Sequence, residues 1–349
     1  MTISGEQLAA VGSLGYTPEE ARFLSIVATH SGYFVMRQFT AFAQANPGKR
    51  SDPFAKKLKS RGHAGWREYP RLGGVYRLSS KTLYRVLDKE NLCSSRRHAT
   101  EFIRTRLLAL DFVLPNQSHR YLETESEKIA YFSEQRGVPR DALPAKTHAQ
   151  SGGTSPAVRY FTDNFPLFLD RAADSLPTFT YVNPAHATFA GLAHHLNQYQ
   201  KLLVHLTDFR FLYISDSPAH FFPAERCFRF FAKRVLERGV ADDLSRYFRL
   251  RRAWDRKEYG SLTNDDVEWL ERADARFKGP ETERRYAAWC AGPGTQGGMA
   301  KPAEDAQPPC RSYFRTYLVV PGTRAAKDEP IFNSQEEAHG HDQETTGNH

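Results

Sequence analysis

Ser51-Asp52-Pro53-Phe54-Ala55-Lys56-Lys57-Leu58-Lys59-Ser60-Arg61 and, a few residues on, Gly65-Trp66-Arg67-Glu68-Tyr69-Pro70-Arg71-Leu72-Gly73-Gly74-Val75-Tyr76-Arg77-Leu78 form the centre of the segment Thr17–Leu87. The first piece predicts a basic helix. Phe54 and Leu58 are four residues apart, so they share one face and can anchor it in a core. Lys56, Lys57, Lys59 and Arg61 then point largely to solvent, with Lys49 and Arg50 just before the helix and Asp52 as the single acid. Ser51 and Asp52 are placed to cap the helix or approach a base edge. The second piece alternates apolar and polar residues around a Gly-Gly turn and predicts a β-hairpin.

Upstream, Thr17–His30 is an amphipathic helix with Thr17 as N-cap and Pro18 at its first position. Val35–Gln44 is a second, short helix. Helix, helix, basic helix and hairpin, in that order, predict a winged helix-turn-helix. Its third helix enters the DNA major groove and its hairpin lies along the backbone. Residues 17–121 are taken as this domain with a helical extension. The expected DNA contacts are Lys49, Arg50, Lys56, Lys57, Lys59, Arg61, Arg71 and Arg77. Charge placement agrees: residues 1–111 hold 18 Lys and Arg against 9 Asp and Glu, and the remainder of the +8 chain nets −1. Such asymmetry suits a local polyanion surface and counterion release. A winged helix also serves protein contacts, and a basic face can simply be solvated.

At 349 residues the chain can form two domains and a tail. Aromatic residues at 13% imply cores built on Phe and Tyr. No run of about 18 apolar residues predicts a membrane span, and the first ten residues lack the basic and apolar regions of a secretory signal. Cys93, Cys227, Cys290 and Cys310 make no Cys-x-x-Cys pair, so reduced thiols and a cytoplasmic location are expected. No P-loop, dinucleotide fingerprint or nucleophile elbow occurs, so no cofactor is expected.

Met1–Tyr16 reads as a flexible lead. Cys93–Leu110 predicts a helix, Asp111–Tyr121 a strand and turn, and Glu123–Arg136 a helix opened by Thr124 and Glu127 as a capping box. The Pro/Gly-containing stretch Gly137–Pro156 closes the 122–156 helix-and-linker segment and marks a domain boundary. Residues 157–290 predict a small α/β domain with a helical C-terminal part. Its strands are Val158–Leu169, Leu176–Val182 and Phe209–Ser215; its helices are Thr188–Leu206, Ser217–Arg238, Asp242–Arg256 and Thr263–Phe277. Residues 291–349 read as a largely disordered tail, with one last strand at Arg311–Val320. The fold class is therefore α+β.

Two other constellations invite chemistry. His194 and His195, with His186 and His205, suggest a metal site, but adjacent residues diverge by about 100° on a helix and do not chelate together. Asp163, Asp170, Asp174, Asp208 and Asp216 could serve a metal-dependent nuclease, with Asp170, Asp216 and Lys201 as its working set. Turn and capping roles account for these aspartates more simply, and no metal is expected.

The order of elements resembles the replication-relaxation family, winged-helix proteins of bacterial plasmids and other mobile elements. Two blocks carry the resemblance: Arg22-Phe23-Leu24-Ser25-Ile26-Val27 through the basic helix to Val75-Tyr76-Arg77-Leu78, and Leu176–Leu206 with Leu196-Asn197-Gln198-Tyr199-Gln200-Lys201-Leu202. Together they span about half the chain. The resemblance implies a restriction-endonuclease-like second domain, in which a strand carries a Glu-x-Asp pattern. Here that strand reads Tyr181-Val182-Asn183, and Asn183 lacks the charge a metal ligand needs. The implied protein binds duplex DNA in replication, transfer or transcriptional control without catalysis. The implied partners beyond DNA are a second copy or a replication or transfer protein.

Overall fold

The computed structural model describes residues 4–44, 49–92, 98–148, 157–163, 165–169, 176–184, 189–291 and 311–320. The architecture is mixed α+β. Helix α1 (Gly5–Ser13) leads into α2 (Pro18–His30), each opened by a capping box, Ser4 with Gln7 and Thr17 with Glu20. Strand β1 (Tyr33–Val35) runs into α3 (Met36–Phe42), and α4 (Ser51–Ser60) follows. Strands β2 (Ala64–Tyr69) and β3 (Gly73–Leu78) form the hairpin. They complete an antiparallel sheet in the order β1-β3-β2. Helix α5 (Lys81–Val86) and then α6 (Thr100–Val113) close this half. From Gly5 to Ser13 the stretch read as a flexible lead is thus a helix, with Val11 fully buried and Tyr16, just after it, nearly so.

Helix α6 corrects a second expectation. It starts at Thr100 and runs three residues past Leu110, so Asp111–Val113 are helical and strand β4 is only Arg120–Tyr121. From Arg106 to Val113 every residue but Asp111 is buried, which is the signature of a helix packed on two sides. One side covers the small sheet, where Ile103 and Leu107 meet Tyr33, Val35 and Val75. The buried Gln38 side chain bonds the Leu107 carbonyl, and a two-pronged Arg37–Asp111 ion pair fixes α3 to α6.

Helix α7 (Glu125–Ile129), capped by Thr124 and Glu127 as expected, widens into a π-helical turn at Ala130–Gln135. Strands β5 (Ala145–His148) and β6 (Ala157–Tyr160) pair with each other. The continuous strand expected at Val158–Leu169 is broken. Phe161 adopts a left-handed φ of 51° and β7 is limited to Leu167–Leu169. Then come β8 (Pro177–Val182), α8 (Phe189–His205) and β9 (Asp208–Ser215). Helix α9 (Phe221–Phe231) passes through a π turn at Ala232–Leu236 into α10 (Glu237–Asp255). Helices α11 (Asn264–Phe277) and α12 (Pro280–Ala291) precede β10 (Arg311–Leu318).

The larger sheet has the order β10-β9-β8-β7-β4, with β10, β9 and β8 parallel and β7 and β4 antiparallel. Its members come from outside 157–290 at both edges. In particular β10, expected within a largely disordered tail, pairs with β9 over eight residues. The rest of that tail lies outside the described residues.

Period-two alternation gives the sheet two buried faces. Phe168, Val182, Leu212, Ile214 and Tyr317 join the core of α2 and α6. Phe179, Tyr181, Phe209, Phe211 and Tyr213 pack under α8 and α9. The second side of α6 therefore rests on the larger sheet, where Phe112 lies edge-on to Tyr317 at 4.9 Å. His30, fully enclosed, stacks edge-on to Tyr121 at 5.0 Å. No helix among the described residues is long and apolar enough to cross a membrane.

Candidate nucleic-acid interface

Helix α4, the residues just before it and the β2–β3 hairpin carry all eight residues expected to touch DNA. The sequence divides α4 cleanly: Phe54 and Leu58 are fully buried, while Asp52, Pro53, Lys56, Lys59 and Ser60 are exposed. Phe54 stacks on Phe39 at 4.1 Å and meets Phe23 and Phe34, so the basic helix is held by an aromatic cluster. Neither Ser51 nor Asp52 caps the helix. Arg50 occupies the N-cap without a side-chain cap bond, and Ser51 is buried.

The expected cations separate into two sets. Lys56 and Lys59 stand exposed three residues apart on the outer face, and Lys49 is exposed before the helix. Arg71 is exposed at the hairpin tip with a φ of 67°, in the left-handed region that a non-glycine residue rarely adopts.

The other four make contacts within the protein, although Arg50 and Arg61 remain exposed. Lys57 does not point to solvent; its ammonium binds both carboxylate oxygens of Glu20 at 2.9 and 2.7 Å. Glu20 is on α2, where it also completes the capping box by accepting from the Thr17 amide. Arg50 pairs with Glu19 at 2.8 Å. Arg61 lies over the ring of Tyr16, 5.5 Å from its centroid. Burial pushes that phenol up to about 12, and its hydroxyl is 2.8 Å from His63 Nδ1. Arg77 is half-buried and in register with Tyr33, on the hairpin face toward α6 and opposite to the α4 side.

Two exposed residues of the hairpin were not singled out by the sequence, and of these only Trp66 lies on the α4 side. Trp66 is 48% exposed, and the Lys59 ammonium sits 4.8 Å from its ring centre. Its indole lies across Gly74, where a Cβ would fall 2.6 Å from Nε1, so the second glycine of the turn pair is there to admit the ring. Arg67 is exposed on β2 and rests over Tyr69 at 5.3 Å. Alternation along β2 carries the signal: counting in twos from Ala64, which is buried with Leu78, puts Trp66 on the α4 side and Arg67 on the other.

Of the residues proposed for metal chemistry, those described bring together only His195 and Asp163. Asp170, Asp174 and His186 lie outside the described residues. Asp216 and Lys201 are exposed. His194 is exposed beside Gln198, whereas His195 turns inward to Asp163, with Nδ1 3.1 Å from Oδ2. Among the described residues no three His, Cys, Asp or Glu side chains are grouped to hold a metal. Asn183 is buried and donates to the Tyr213 hydroxyl at 2.6 Å.

Comparisons of the chain with protein-family models, with curated proteins and with solved structures gave no match.

Proposed function

We propose that the protein binds double-stranded DNA through a winged helix-turn-helix made of α2, α3, α4 and the β2–β3 hairpin, and that it does so without catalysis. The observation that carries this reading is the exposed pair Lys56 and Lys59 on the outer face of a helix anchored by Phe54 and Leu58. A helix of this kind fits the major groove, and its ammonium groups displace counterions from phosphate. Arg71 at the hairpin tip and Lys49 extend the surface to neighbouring phosphates. The site is therefore narrower than the eight residues expected, because Lys57 is tied to Glu20 and Arg77 faces α6, while the exposed Arg50 and Arg61 are engaged by Glu19 and Tyr16.

We read the larger sheet with α8 as the restriction-endonuclease-like unit that the resemblance implies, in a copy that lacks the Glu-x-Asp acids. Tyr181 and Asn183 occupy the expected acid positions, and both are packed in the interior. Partner contact in replication, transfer or transcriptional control of mobile-element DNA is the role consistent with that loss.

The test is a fluorescence-anisotropy titration of a random-sequence duplex of about 30 base pairs with the full chain across a salt series. Affinity should fall steeply with salt. Lys56→Ala with Lys59→Ala should weaken binding and flatten the log–log slope by about 0.9 for each phosphate no longer neutralised. An unchanged slope would refute the assignment.

A further inference from the structure

A second surface, on the far side of the larger sheet, is built from aromatic rings and arginines. Helix α9 buries Ala224, Phe228 and Phe231 and leaves Phe222 and Phe230 68% and 67% exposed. Arg226 and Arg234 alternate with them at four-residue spacing, so Phe222, Arg226, Phe230 and Arg234 form one ridge. Each guanidinium rests near the preceding ring, Arg226 5.9 Å from the centre of Phe222 and Arg234 6.0 Å from that of Phe230. Lys233 is exposed beside them, and Arg229 is exposed and paired with Glu225 at 2.7 Å. The ridge borders a cleft of about 510 Å³ between α8 and the α9–α10 run, with Asn197 and Gln200 on one wall and Asp242 on the other.

We propose that this ridge binds single-stranded DNA. Ring, charge and spacing together select that occupant. Exposed phenyl rings offer stacking platforms, and only unpaired bases have free faces to lay on them; the bases of a duplex are already stacked. The alternation of ring and cation along one line matches the alternation of base and phosphate along a strand. A membrane-binding helix instead segregates its apolar and cationic faces. A second copy of the chain, docked symmetrically, would bring two clusters of Arg226, Lys233 and Arg234 into one interface, like charge near like. The ridge residues Phe222, Arg226, Phe230 and Arg234 carry no hydroxyl or carboxamide to read a ribose 2′-hydroxyl, and Asn197 and Gln200 belong to the opposite cleft wall on α8, which favours DNA over RNA. The inference does not depend on duplex binding by α4, which uses different residues at the other end of the fold.

The full chain is titrated into labelled oligo(dT), oligo(U), a duplex and anionic phosphatidylserine vesicles. Oligo(dT) should bind, with affinity falling as salt rises. Phe222→Ala with Phe230→Ala should weaken oligo(dT) binding by about ten-fold or more, the loss expected for removing stacking platforms. Duplex affinity should not change. Both side chains are exposed, so folding should survive, and circular dichroism checks it. Arg226→Ala with Arg234→Ala should reduce the salt slope on oligo(dT) by about 0.7 for each phosphate no longer neutralised. Unchanged oligo(dT) affinity in the folded phenylalanine variant would overturn the proposal. So would tighter binding of oligo(U) or of vesicles than of oligo(dT), or a wild-type dimer that the variant dissolves with no loss of oligo(dT) affinity. Lys56→Ala with Lys59→Ala should leave oligo(dT) binding intact while impairing the duplex, so failure of either surface is seen separately.

Discussion

Lys57 and Lys56 are neighbours of identical chemistry in opposite surroundings, one paired with Glu20 and one exposed. The Glu20 carboxylate that grips Lys57 also closes the cap of α2, so this pair joins two helices at a half-buried site. Lys57→Ala should lower stability by about 1 kcal/mol, the scale of a charge-assisted hydrogen bond at a partly screened site. It should leave the salt slope of duplex binding untouched, whereas Lys56→Ala should do the reverse. Denaturant melts and salt titrations of the two single variants separate the roles. His30 gives a second residue-level prediction. Burial, reinforced by the charges of Lys89, Arg106 and Lys128, holds its imidazole well below its ordinary value of 6.5. The unfolded chain therefore takes up the proton first. The stability it contributes is present above pH 6.5 and lost as pH falls below it, by at most about 1.4 kcal/mol per unit. Denaturant unfolding from pH 7.5 down to 5 should show this loss, and His30→Gln should reduce it. An identical pH profile in the variant would remove His30 from the account.

At the level of elements, local signals were legible where they were periodic or capped. Thr17 and Thr124 each cap the helix assigned to them, and Leu192, Leu196 and Leu203 mark the buried face of α8. Legibility failed where tertiary packing set the outcome. Phe161 breaks a strand that its neighbours' composition favours, because it turns the chain into the core beside Phe132 at 5.7 Å. The two fates of the α4 cations were hidden for the same reason: Glu20 and Tyr16, which capture Lys57 and Arg61, lie far away in sequence. Strand β10 was recognised, but not its importance. Phe314 packs on Phe228 at 5.2 Å, and the Tyr317 hydroxyl accepts from Asn116 at 3.2 Å. Ending the chain after Ala291 would bare the edge of β9, an unpaired ladder that invites association. Light scattering should then report oligomers and the thermal midpoint should fall. A monomeric truncation with an unchanged midpoint would show that β10 is dispensable.

Across the whole molecule, the basic unit and the larger sheet share one core, because Phe112 and its neighbours on α6 touch both. Scanning calorimetry and denaturant curves should therefore show one cooperative transition reported alike by fluorescence and circular dichroism. Two resolved transitions would contradict a shared core. A charge count could not reveal this union, since no sequence signal marks which faces of α6 are occupied.

A helix enclosed from both sides also governs how the chain wears out. Neither half can be shed without baring the apolar flank of α6, so a protease gains little from nicking one end and must wait for the common opening. Whatever occupies α4 then lengthens the lifetime of peptide bonds as distant as those of α8 and β9, since a ligand held only by the closed form lowers the population of the open one. Limited digestion with and without duplex should show the distant cleavages slowed in parallel with those near the hairpin, making survival of the C-terminal half a remote gauge of occupancy at the N-terminal one.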